Sequence, residues 1–285
     1  MDKIFKKIRQ LICKLLVFAE GKLFSSDNGL NSLEREEKII ISMTSYPQRF
    51  STIGEPLNSL LRQSVKPDKI IVWLGSDSSR EDLTDEMFEF EKKGIEFRFD
   101  QNKNLKPHKK YFYALQEFPQ DLVITVDDDI IYPRNTIKSL ITAHKKYPNN
   151  ICARRVHKIA LDNNHQIAPY LKWDYEYRGE VRPSRSLFAT NGAGTIFPHG
   201  CLPKEAFNAA DIERHCLNAD DVWLWYWEQK QGISTVWVPC FMIHPPVVKE
   251  LKTACGLAEK NVELAGNDYY IKELFEHYGK ISIDD

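Results

Sequence analysis

The spacing of apolar residues follows two periods along the first half of the chain. Four short runs rich in apolar and β-branched residues have the length of buried strands. These runs cover 38–43, 69–74, 95–99 and 122–126. The segments between them place apolar residues at helical spacing, over 52–63, 84–92 and 108–118. Strands that alternate with helices in this way predict βαβ units and a Rossmann-like α/β fold, with a mostly parallel central sheet flanked by helices.

The second half of the chain is less regular. Hydrophobic spacing there predicts two helices and two strands, at 134–146 and 220–229 and at 150–156 and 234–238 respectively. A segment rich in Tyr, Arg and Pro at 172–187 predicts a long loop, and glycines at 191–194 predict a tight turn between two short apolar runs. Irregular segments after a regular parallel half are typical of a region that shapes a binding pocket.

Residues 1–22 predict an amphipathic basic helix. Its apolar residues at 4, 5, 8, 11, 12, 15 and 16 share one face, and the other face is basic. Such a helix can lie on an anionic membrane surface through residues 3–18, or it can pack on its own domain or on a partner chain. The polar segment 23–37 predicts a linker, and 38–285 predicts one large domain. No apolar run has the length of a transmembrane helix.

Composition and charge are those of an ordinary soluble globular protein. Of the 285 residues, 42% are hydrophobic and 28% are charged, and the net charge of −1 gives no reason to expect nucleic acid as a partner. The six cysteines are scattered without a CxxC pair, which fits reduced cytoplasmic thiols better than disulfides or a zinc site. We therefore expect a cytoplasmic protein, peripheral on the inner face of the cell membrane if the first helix binds lipid.

Three consecutive carboxylates, Asp127, Asp128 and Asp129, follow the fourth predicted strand. Ligands of open α/β sheets bind beyond the carboxyl ends of the strands, and carboxylates after a buried strand need a neutralising partner. The side chains of Asp127 and Asp129 point the same way in an extended chain. Such a pair suits Mg²⁺ or Mn²⁺ together with phosphate oxygens. The alternative is an acidic turn in which Asp128 or Asp129 caps the next helix.

Five stretches in chain order carry a family resemblance. They are 40–49, an opening strand with a TSYPxR loop; 106–111, a lysine segment before a helix; 127–129, a DxD motif; 191–223, a glycine-containing turn and an acidic segment; and 244–245, a late His-Pro. Together they resemble bacterial glycosyltransferases of the GT-A fold, of the family-2-like type found in capsule and lipopolysaccharide gene sets. Two features depart from the family, the basic N-terminal helix and Asp220 in place of a glutamate.

The resemblance implies a GT-A domain that moves a sugar from a nucleotide-sugar donor, in particular a UDP-sugar, to a glycan or lipid-linked acceptor. It implies that Asp127 and Asp129 hold Mn²⁺ or Mg²⁺ against the donor diphosphate. His244 would add an imidazole ligand, which suits Mn²⁺, and His199 is the alternative histidine.

Other residues of the same stretches are candidates for the donor nucleotide. Tyr46 can stack on a base and Arg49 can pair with phosphate, beside Thr44 at the end of the first strand. The alternative there is a proline turn with a surface arginine. Asp100 and Asn102 follow the third strand and could hydrogen-bond uracil.

The diphosphate and the donor sugar have their own candidates. Lys110 suits a diphosphate as a compact cation, with Lys109 as its competitor and a solvated helix face as the alternative. Asp128 is placed in the same donor site. Gly192 and Gly194 would permit close backbone approach to the donor sugar, or they form an ordinary hairpin turn.

Asp220 and Asp221 open the helix predicted at 220–229. We expect Asp221 to be the general base that deprotonates the acceptor hydroxyl, which predicts inversion, and Asp220 to be the helix cap. If Asp221 is only a cap, retention stays open. The helix dipole would lower the pKa of the base and leave it ionised at neutral pH. The aromatic residues at 223–227 predict core packing, with one of them available to stack on an acceptor sugar.

Other protein classes share parts of this pattern. A HAD-type phosphatase also carries DxD after a strand, but on its first strand, and Ile130 and Ile131 do not fit its motif. A nucleotidyltransferase needs a glycine-rich first loop, which 44–49 lacks. A non-catalytic glycan-binding or membrane-scaffolding protein with a decayed site is disfavoured by the acids kept at both 127–129 and 220–221.

Overall fold

The computed structural model describes residues 2–24, 29–100, 103–240, 246–248 and 266–283. The strands in these ranges are β1 (Ile39–Thr44), β2 (Lys69–Leu74), β3 (Glu96–Phe99), β4 (Leu122–Asp127), β5 (Ile151–Ala153), β6 (Val156–Lys158), β7 (Leu187–Ala189), β8 (Thr195–Ile196) and β9 (Thr235–Trp237). The helices are α1 (Asp2–Leu23), α2 (Gly54–Leu61), α3 (Asp85–Lys92), α4 (Lys109–Glu117), α5 (Thr136–Lys146), α6 (Ala209–His215), α7 (Asp220–Lys230) and α8 (Gly266–Tyr278).

One sheet organises the domain, with the strand order β3-β2-β1-β4-β8-β5-β9, and β6 pairs with β7 separately. β1 pairs in parallel with both β2 and β4, and β2 pairs in parallel with β3. β8 is antiparallel to β4 and to β5, so β5 runs in the direction of β4. The mostly parallel central sheet flanked by helices is therefore confirmed, and the first four predicted strands are its parallel half.

Alternate residues of β1 pack on opposite faces of the sheet. Ile39, Ile41 and Met43 are buried in a core shared with α2, α3 and α5. Ile40 is buried on the other face, beside Ala114 of α4. Burial of each such side chain contributes about 1.5–3 kcal/mol. A strand covered on both faces needs an almost continuous apolar run, which is what the sequence of β1 provides.

The aromatic residues of α7 belong to the core. Trp223, Trp225, Tyr226 and Trp227 are all buried, in a cluster that also contains Leu274 of α8. A helix that is apolar on all sides is one that the rest of the domain surrounds. The prediction that these side chains are core is confirmed, and none of the four is exposed to stack on an acceptor sugar.

Two predicted elements differ from the structure because their strands pair with strands that are far away in the sequence. The run predicted as one strand at 150–156 divides into β5 and β6, which lie in different sheets. At the break, the Arg154 backbone N–H donates to the Gly194 oxygen at 3.1 Å. The turn at 191–194 does not join a hairpin, since β7 pairs with β6 while β8 lies between β4 and β5. The hairpin interpretation of that turn is therefore wrong.

One face of α1 packs on the domain. Cys13 and Val17 are buried beside Ile131. The backbone N–H of Arg134 donates to the Glu20 carboxylate at 3.0 Å. The interpretation that this helix packs on its own domain therefore holds for the face that carries Cys13 and Val17. Within the described ranges, no helix has both the length and the apolar character needed to cross a bilayer.

Candidate active site

Acidic side chains meet at the carboxyl ends of β1 and β4. Thr44, the last residue of β1, is in register with Asp127, the last residue of β4. The residues that follow are therefore neighbours, and Ser45 Oγ donates to Asp128 Oδ2 at 2.5 Å. Thr44 Oγ1 donates to the backbone oxygen of Trp73 at 3.0 Å, which ties the end of β1 to β2. This is the sheet edge at which open α/β folds bind ligands.

The three acids that follow β4, here called the acid triplet, have different partners. Asp127 Oδ1 lies 2.8 Å from Lys110 Nζ, and Asp129 Oδ2 lies 3.4 Å from the Arg49 guanidinium. The middle acid is buried and bonds to a serine hydroxyl. None of the three caps α5, whose N-cap is Asn135. The alternative of an acidic helix cap is therefore wrong.

Burial and mutual repulsion set the pKa values of the acid triplet. Burial raises the pKa of Asp128 to about 7, and the charge of Asp129 adds to this shift. Burial and the charge of Asp127 raise the pKa of Asp129. Burial alone would also raise the pKa of Asp127, but the positive charges of Lys110, Arg155 and Arg49 together outweigh it and the pKa is lowered. A bound dication would favour the charged form of all three carboxyls.

Lys110 connects the acid triplet to the start of α7. Its buried ammonium lies 2.8 Å from Asp127 Oδ1 and 3.0 Å from Asp220 Oδ2. Burial lowers the pKa of Lys110, but these carboxylates outweigh burial, so the pKa is raised and the side chain stays charged. Its predicted contact with a diphosphate stays a prediction. Lys109 has a different environment, since its Nζ donates to Asn104 Oδ1 at 2.8 Å and burial lowers its pKa to about 8.

Asp221 is held by the turn before β8. Its Oδ1 accepts hydrogen bonds from the Asn191 backbone N–H at 2.9 Å and from the Asn191 side-chain amide at 3.0 Å. Burial and the charge of Asp220 raise the pKa of Asp221 to about 7. The expectation that the helix dipole gives it a low pKa is wrong, because burial outweighs the dipole. The expectation that Asp220 caps α7 is also wrong, because the N-cap is Ala219.

The same turn lies against the acid triplet. A Cβ added to Gly192 would lie 1.4 Å from Asp127 Oδ2, so no larger residue fits without displacing the carboxylate. The Tyr132 hydroxyl accepts the Asp127 backbone N–H at 2.7 Å and donates to the Gly192 oxygen. Gly194 has a φ of +105° and lies beside Leu140 of α5, so its requirement for glycine is conformational. The close approach of Gly192 is therefore to a carboxylate of the triplet.

Gly192→Ala tests this contact. We expect the added methyl to displace Asp127 and to weaken Mn²⁺ binding in the presence of UDP by about tenfold or more, equivalent to about 1.4 kcal/mol. Electron paramagnetic resonance of free Mn²⁺ would measure the affinity. Gly200→Ala is the matched control, because Gly200 has a φ of +64° but no atom within 4 Å of an added Cβ. Equal Mn²⁺ affinity in the two variants would contradict the contact.

The loop after β1 carries the residues expected to meet a nucleotide. Tyr46 is 40% exposed, and its hydroxyl accepts a hydrogen bond from Arg49 Nε at 3.2 Å. Because Arg49 also faces Asp129, the tyrosine, the arginine and the last acid of the triplet lie in sequence along this edge. The arrangement leaves the Tyr46 ring accessible for stacking on a base.

The candidates after β3 are described only in part. The Asp100 carboxylate accepts hydrogen bonds from the Lys103 backbone N–H at 3.1 Å and from the Tyr113 hydroxyl. Asn102 and His244 lie outside the described residues. Their predicted contacts, with uracil and with a metal ion respectively, stay predictions.

The alternative histidine, His199, lies at the opposite edge of the sheet. β8 runs antiparallel to β4, and the Phe197 N–H donates to the Val123 oxygen near the start of β4. His199 Nε2 lies 3.2 Å from a carboxylate oxygen of Glu37, which precedes β1. This position excludes His199 as a ligand of a metal held by the acid triplet.

Arg155 and Tyr132 belong to the site but escaped the sequence-based prediction. Arg155 Nε donates to Thr190 Oγ1 at 2.5 Å. The positive charge of Arg155 is close enough to act on the pKa values of Asp127 and Asp129, which it lowers. No local signal marks Arg155, because the run at 150–156 predicts one strand that contains it, whereas β5 ends at Ala153.

The charge of this cluster suits a divalent cation. Among the residues that the structure describes, no three His, Cys, Asp or Glu side chains converge as a ready-made metal site. The acids outnumber the cations, however. The acids are Asp127, Asp128, Asp129, Asp220 and Asp221, and the cations are Arg49, Lys109, Lys110 and Arg155. The charge of Asp127 raises the pKa of Asp129, and the cluster has an excess of negative charge. Both features fit Mg²⁺ or Mn²⁺ bound through Asp127 and Asp129.

The solved structures that match this chain do so at low sequence identity. TarS 1-349 from S. aureus, solved in complex with UDP, is 15% identical at a TM-score of 0.45, and the match covers 84% of this chain and 65% of that chain. A 4-diphosphocytidyl-2C-methyl-D-erythritol synthase is 11% identical at a TM-score of 0.43, over 73% of this chain and 93% of that one. No curated protein sequence matches.

The family comparison is decisive. A model of the family described as glycosyl transferase family 2 matches residues 40–201, which is more than half of the chain. The match includes β1 with the loop that follows it, Lys110, the acid triplet and the turn at 191–194. The chain therefore belongs to glycosyltransferase family 2.

Proposed function

We propose that this protein transfers a sugar from a UDP-sugar to a glycan or lipid-linked acceptor, with Mn²⁺ or Mg²⁺, in the synthesis of capsule or lipopolysaccharide. Membership of the family gives the reaction class, and the position of Lys110 is the structural observation that most supports the proposal. Oxygens of Asp127 and Asp220 both lie within 3.0 Å of its ammonium nitrogen. The acids expected at the donor diphosphate and the acids expected at the acceptor therefore belong to one cluster.

On the donor side, Asp127 and Asp129 would hold the cation, together with His244. When bound, the cation would neutralise the negative charge of the departing diphosphate. Tyr46 would stack on the nucleotide base, and Arg49 would pair with a phosphate oxygen. This assignment is supported by the exposed ring of Tyr46 and by the contact between Arg49 and Asp129.

The uracil end of the donor would lie near Asp100 and Asn102, at the carboxyl end of β3. Asp128 and Thr44 would act as positioning residues, because their bonds to Ser45 and to the backbone of β2 fix the loop that carries Tyr46. The backbone of Gly192 would border the donor sugar, since it lies against Asp127.

On the acceptor side, Asp221 would act as the general base. Both hydrogen bonds from Asn191 use Oδ1, which leaves Oδ2 for the acceptor hydroxyl. The acceptor oxygen would form a bond to the anomeric carbon as the bond from that carbon to the diphosphate breaks, and its proton would pass to Asp221. Attack from the side opposite the leaving group inverts the anomeric configuration. Asp220 would position the cluster through its contact with Lys110.

Release of UDP from a panel of UDP-sugars tests the proposal. We expect the wild-type protein with Mn²⁺ to release UDP from one donor, and we expect EDTA or Asp129→Ala to remove that activity. Glu37→Ala is the matched control, because Glu37 lies at the opposite edge of the sheet beside His199. If UDP-, GDP- and CMP-sugars are all inert with membranes and glycans supplied as acceptors, the transferase proposal fails. The hypothesis of a non-catalytic glycan-binding or scaffold protein would then replace it.

The proposed location is the cytoplasm, with peripheral contact between residues 3–18 and the inner face of the cell membrane. Six lysine or arginine residues in Asp2–Leu23 would be attracted by anionic lipids. A glycan or a lipid-linked saccharide would both be accessible to an enzyme at that surface.

A further inference from the structure

α1 presents an apolar surface that the domain leaves uncovered. Leu11, Leu15 and Phe18 are between 58% and 64% exposed. Leu15 lies two residues from both Cys13 and Val17, so it is about 160° around the helix from each of these buried residues. The uncovered surface is thus on the side of the helix that faces away from the domain.

The same helix is strongly basic, although the chain as a whole is not. Asp2–Leu23 contains six lysine or arginine residues and two acidic residues, whereas the whole chain has a net charge of −1. A basic helix with an uncovered apolar face complements a bilayer with anionic headgroups above its acyl chains. A second copy of the chain would bring the same positive charge to the contact and be repelled, so charge favours lipid as the occupant.

The covered face fixes α1 beside the acid triplet. It packs on Ile131, and Glu20 accepts the Arg134 backbone N–H at 3.0 Å. The Arg134 guanidinium lies 4.0 Å from the centre of the Phe24 ring. Ile131 is two residues after Asp129, a span of at most about 7 Å, and a helix is about 10–12 Å across. A surface on the far side of α1 would therefore lie within about 20 Å of Asp129.

The segment on which α1 packs also carries the end of the acid triplet. The Ile131 backbone N–H donates to the Pro246 oxygen, and the Val248 N–H donates to the Asp129 oxygen, both at 2.8 Å. Thus one short segment after β4 carries an acid of the triplet, pairs with the chain at 246–248 and forms the seat of α1.

We infer that α1 binds an anionic bilayer through Leu11, Leu15 and Phe18 and holds the acid-bearing edge of the sheet beside the headgroups. This inference rests on the proposed function for its second part, the choice of acceptor. A catalytic edge within about 20 Å of the headgroups selects a lipid-linked saccharide over a free glycan, because such a sugar is confined to that layer.

Flotation of the full-length protein with vesicles tests the lipid contact. We expect binding to vesicles of phosphatidylcholine with phosphatidylglycerol, weaker binding to phosphatidylcholine alone, and loss of binding as salt is raised. Leu11→Glu with Leu15→Glu should weaken the partition about a hundredfold. The matched control is Leu33→Glu with Leu161→Glu, which places the same charges at leucines that are 76% and 40% exposed outside α1. The control should bind as the wild type does.

Two results would overturn the lipid contact. Either the wild type does not float with anionic vesicles, or the Leu11→Glu, Leu15→Glu variant floats with them as the wild type does. A wild-type dimer that the α1 variant converts to monomers would assign the surface to a second copy instead. UDP binding with Mn²⁺, measured on the same α1 variant, separates the two proposals. Its retention with loss of flotation supports the lipid contact, whereas flotation by a wild type that binds no nucleotide contradicts only the proposed function.

The acceptor is tested with the donor found by UDP release. Radiolabelled sugar should enter the solvent-extractable lipid fraction of bacterial membranes, and the α1 variant should incorporate less label than the control variant. Label confined to water-soluble glycan would overturn the assignment of a lipid-linked acceptor.

Discussion

Asp221→Asn is expected to remove sugar transfer while UDP and Mn²⁺ still bind. The substituted amide keeps an oxygen that can accept both hydrogen bonds from Asn191, so the turn before β8 is retained. The proton acceptor is lost, and removal of a general base costs about 10²–10⁴-fold in rate. Initial rates of UDP release with acceptor present would measure the loss, and calorimetry would show that the ligands still bind.

The pH dependence gives a second readout of the same residue. Burial and the charge of Asp220 raise the pKa of Asp221 to about 7. Below that pH the carboxyl holds a proton and cannot accept another, so kcat/KM should rise with pH. Because a bound dication lowers the pKa of a nearby carboxyl, the midpoint should lie at or below about 7. The rise should be absent in Asp221→Asn.

Asp220→Asn is the matched variant for the base assignment. Asp220 faces Lys110 at 3.0 Å, and its loss should leave the proton acceptor in place. We expect Asp220→Asn to keep the pH-dependent rise with a lower rate throughout, and to move its midpoint to lower pH because the charge of Asp220 no longer raises the pKa of Asp221. A variant series in which Asp220→Asn is inactive and Asp221→Asn is active would move the base to Asp220.

Lys110→Met is expected to destabilise the folded protein by about 3–5 kcal/mol, the cost of leaving a buried carboxylate without its partner. The substitution removes the cation between Asp127 and Asp220. Asp220 is buried, whereas the Asp127 side chain is 31% exposed, so the lower end of the range is expected. Urea unfolding without added metal would measure the change in the free energy of unfolding.

Lys109→Met is the control for that loss. Lys109 is as buried as Lys110, but its Nζ bonds to the neutral amide of Asn104. Its replacement should therefore cost much less. Mn²⁺ should raise the Tm of Lys110→Met more than that of the wild type, since the dication supplies positive charge beside Asp127. Equal stability of the two methionine variants would show that the contacts of Lys110 do not hold the cluster.

The sequence predicts those parts of the fold that depend on the local pattern of residues. β1, β2 and β4 are mostly apolar runs of strand length, whereas β3 alternates charged and aromatic residues, and the acid triplet directly follows β4. Its position at the ligand-binding edge then follows from the general rule for open α/β sheets. The resemblance to family 2 glycosyltransferases rested on these same segments, and the family match confirms it.

The parts that the sequence did not predict depend on residues far apart in the chain. Asp221 has a raised pKa because the folded domain buries it beside Asp220, which a helix-dipole argument cannot include. The turn at 191–194 lies between strands of different sheets because β8 inserts between β4 and β5. Its contact with Asp127 is a tertiary contact with no local signal. Tyr132 also joins the site through a tertiary contact, the hydrogen bond from its hydroxyl to the Gly192 oxygen, so no local pattern in the sequence predicts its role.

Calorimetric titration with UDP tests most directly whether the acid triplet forms the proposed metal-dependent UDP site. The titration would compare wild type with Asp129→Ala, each with and without Mn²⁺, and would include GDP and CMP as competing nucleotides. We expect tight UDP binding that needs both Mn²⁺ and Asp129, with weaker binding of GDP and CMP. UDP binding that is unchanged by Mn²⁺ and by Asp129→Ala, or no nucleotide binding at all, would contradict the proposed site.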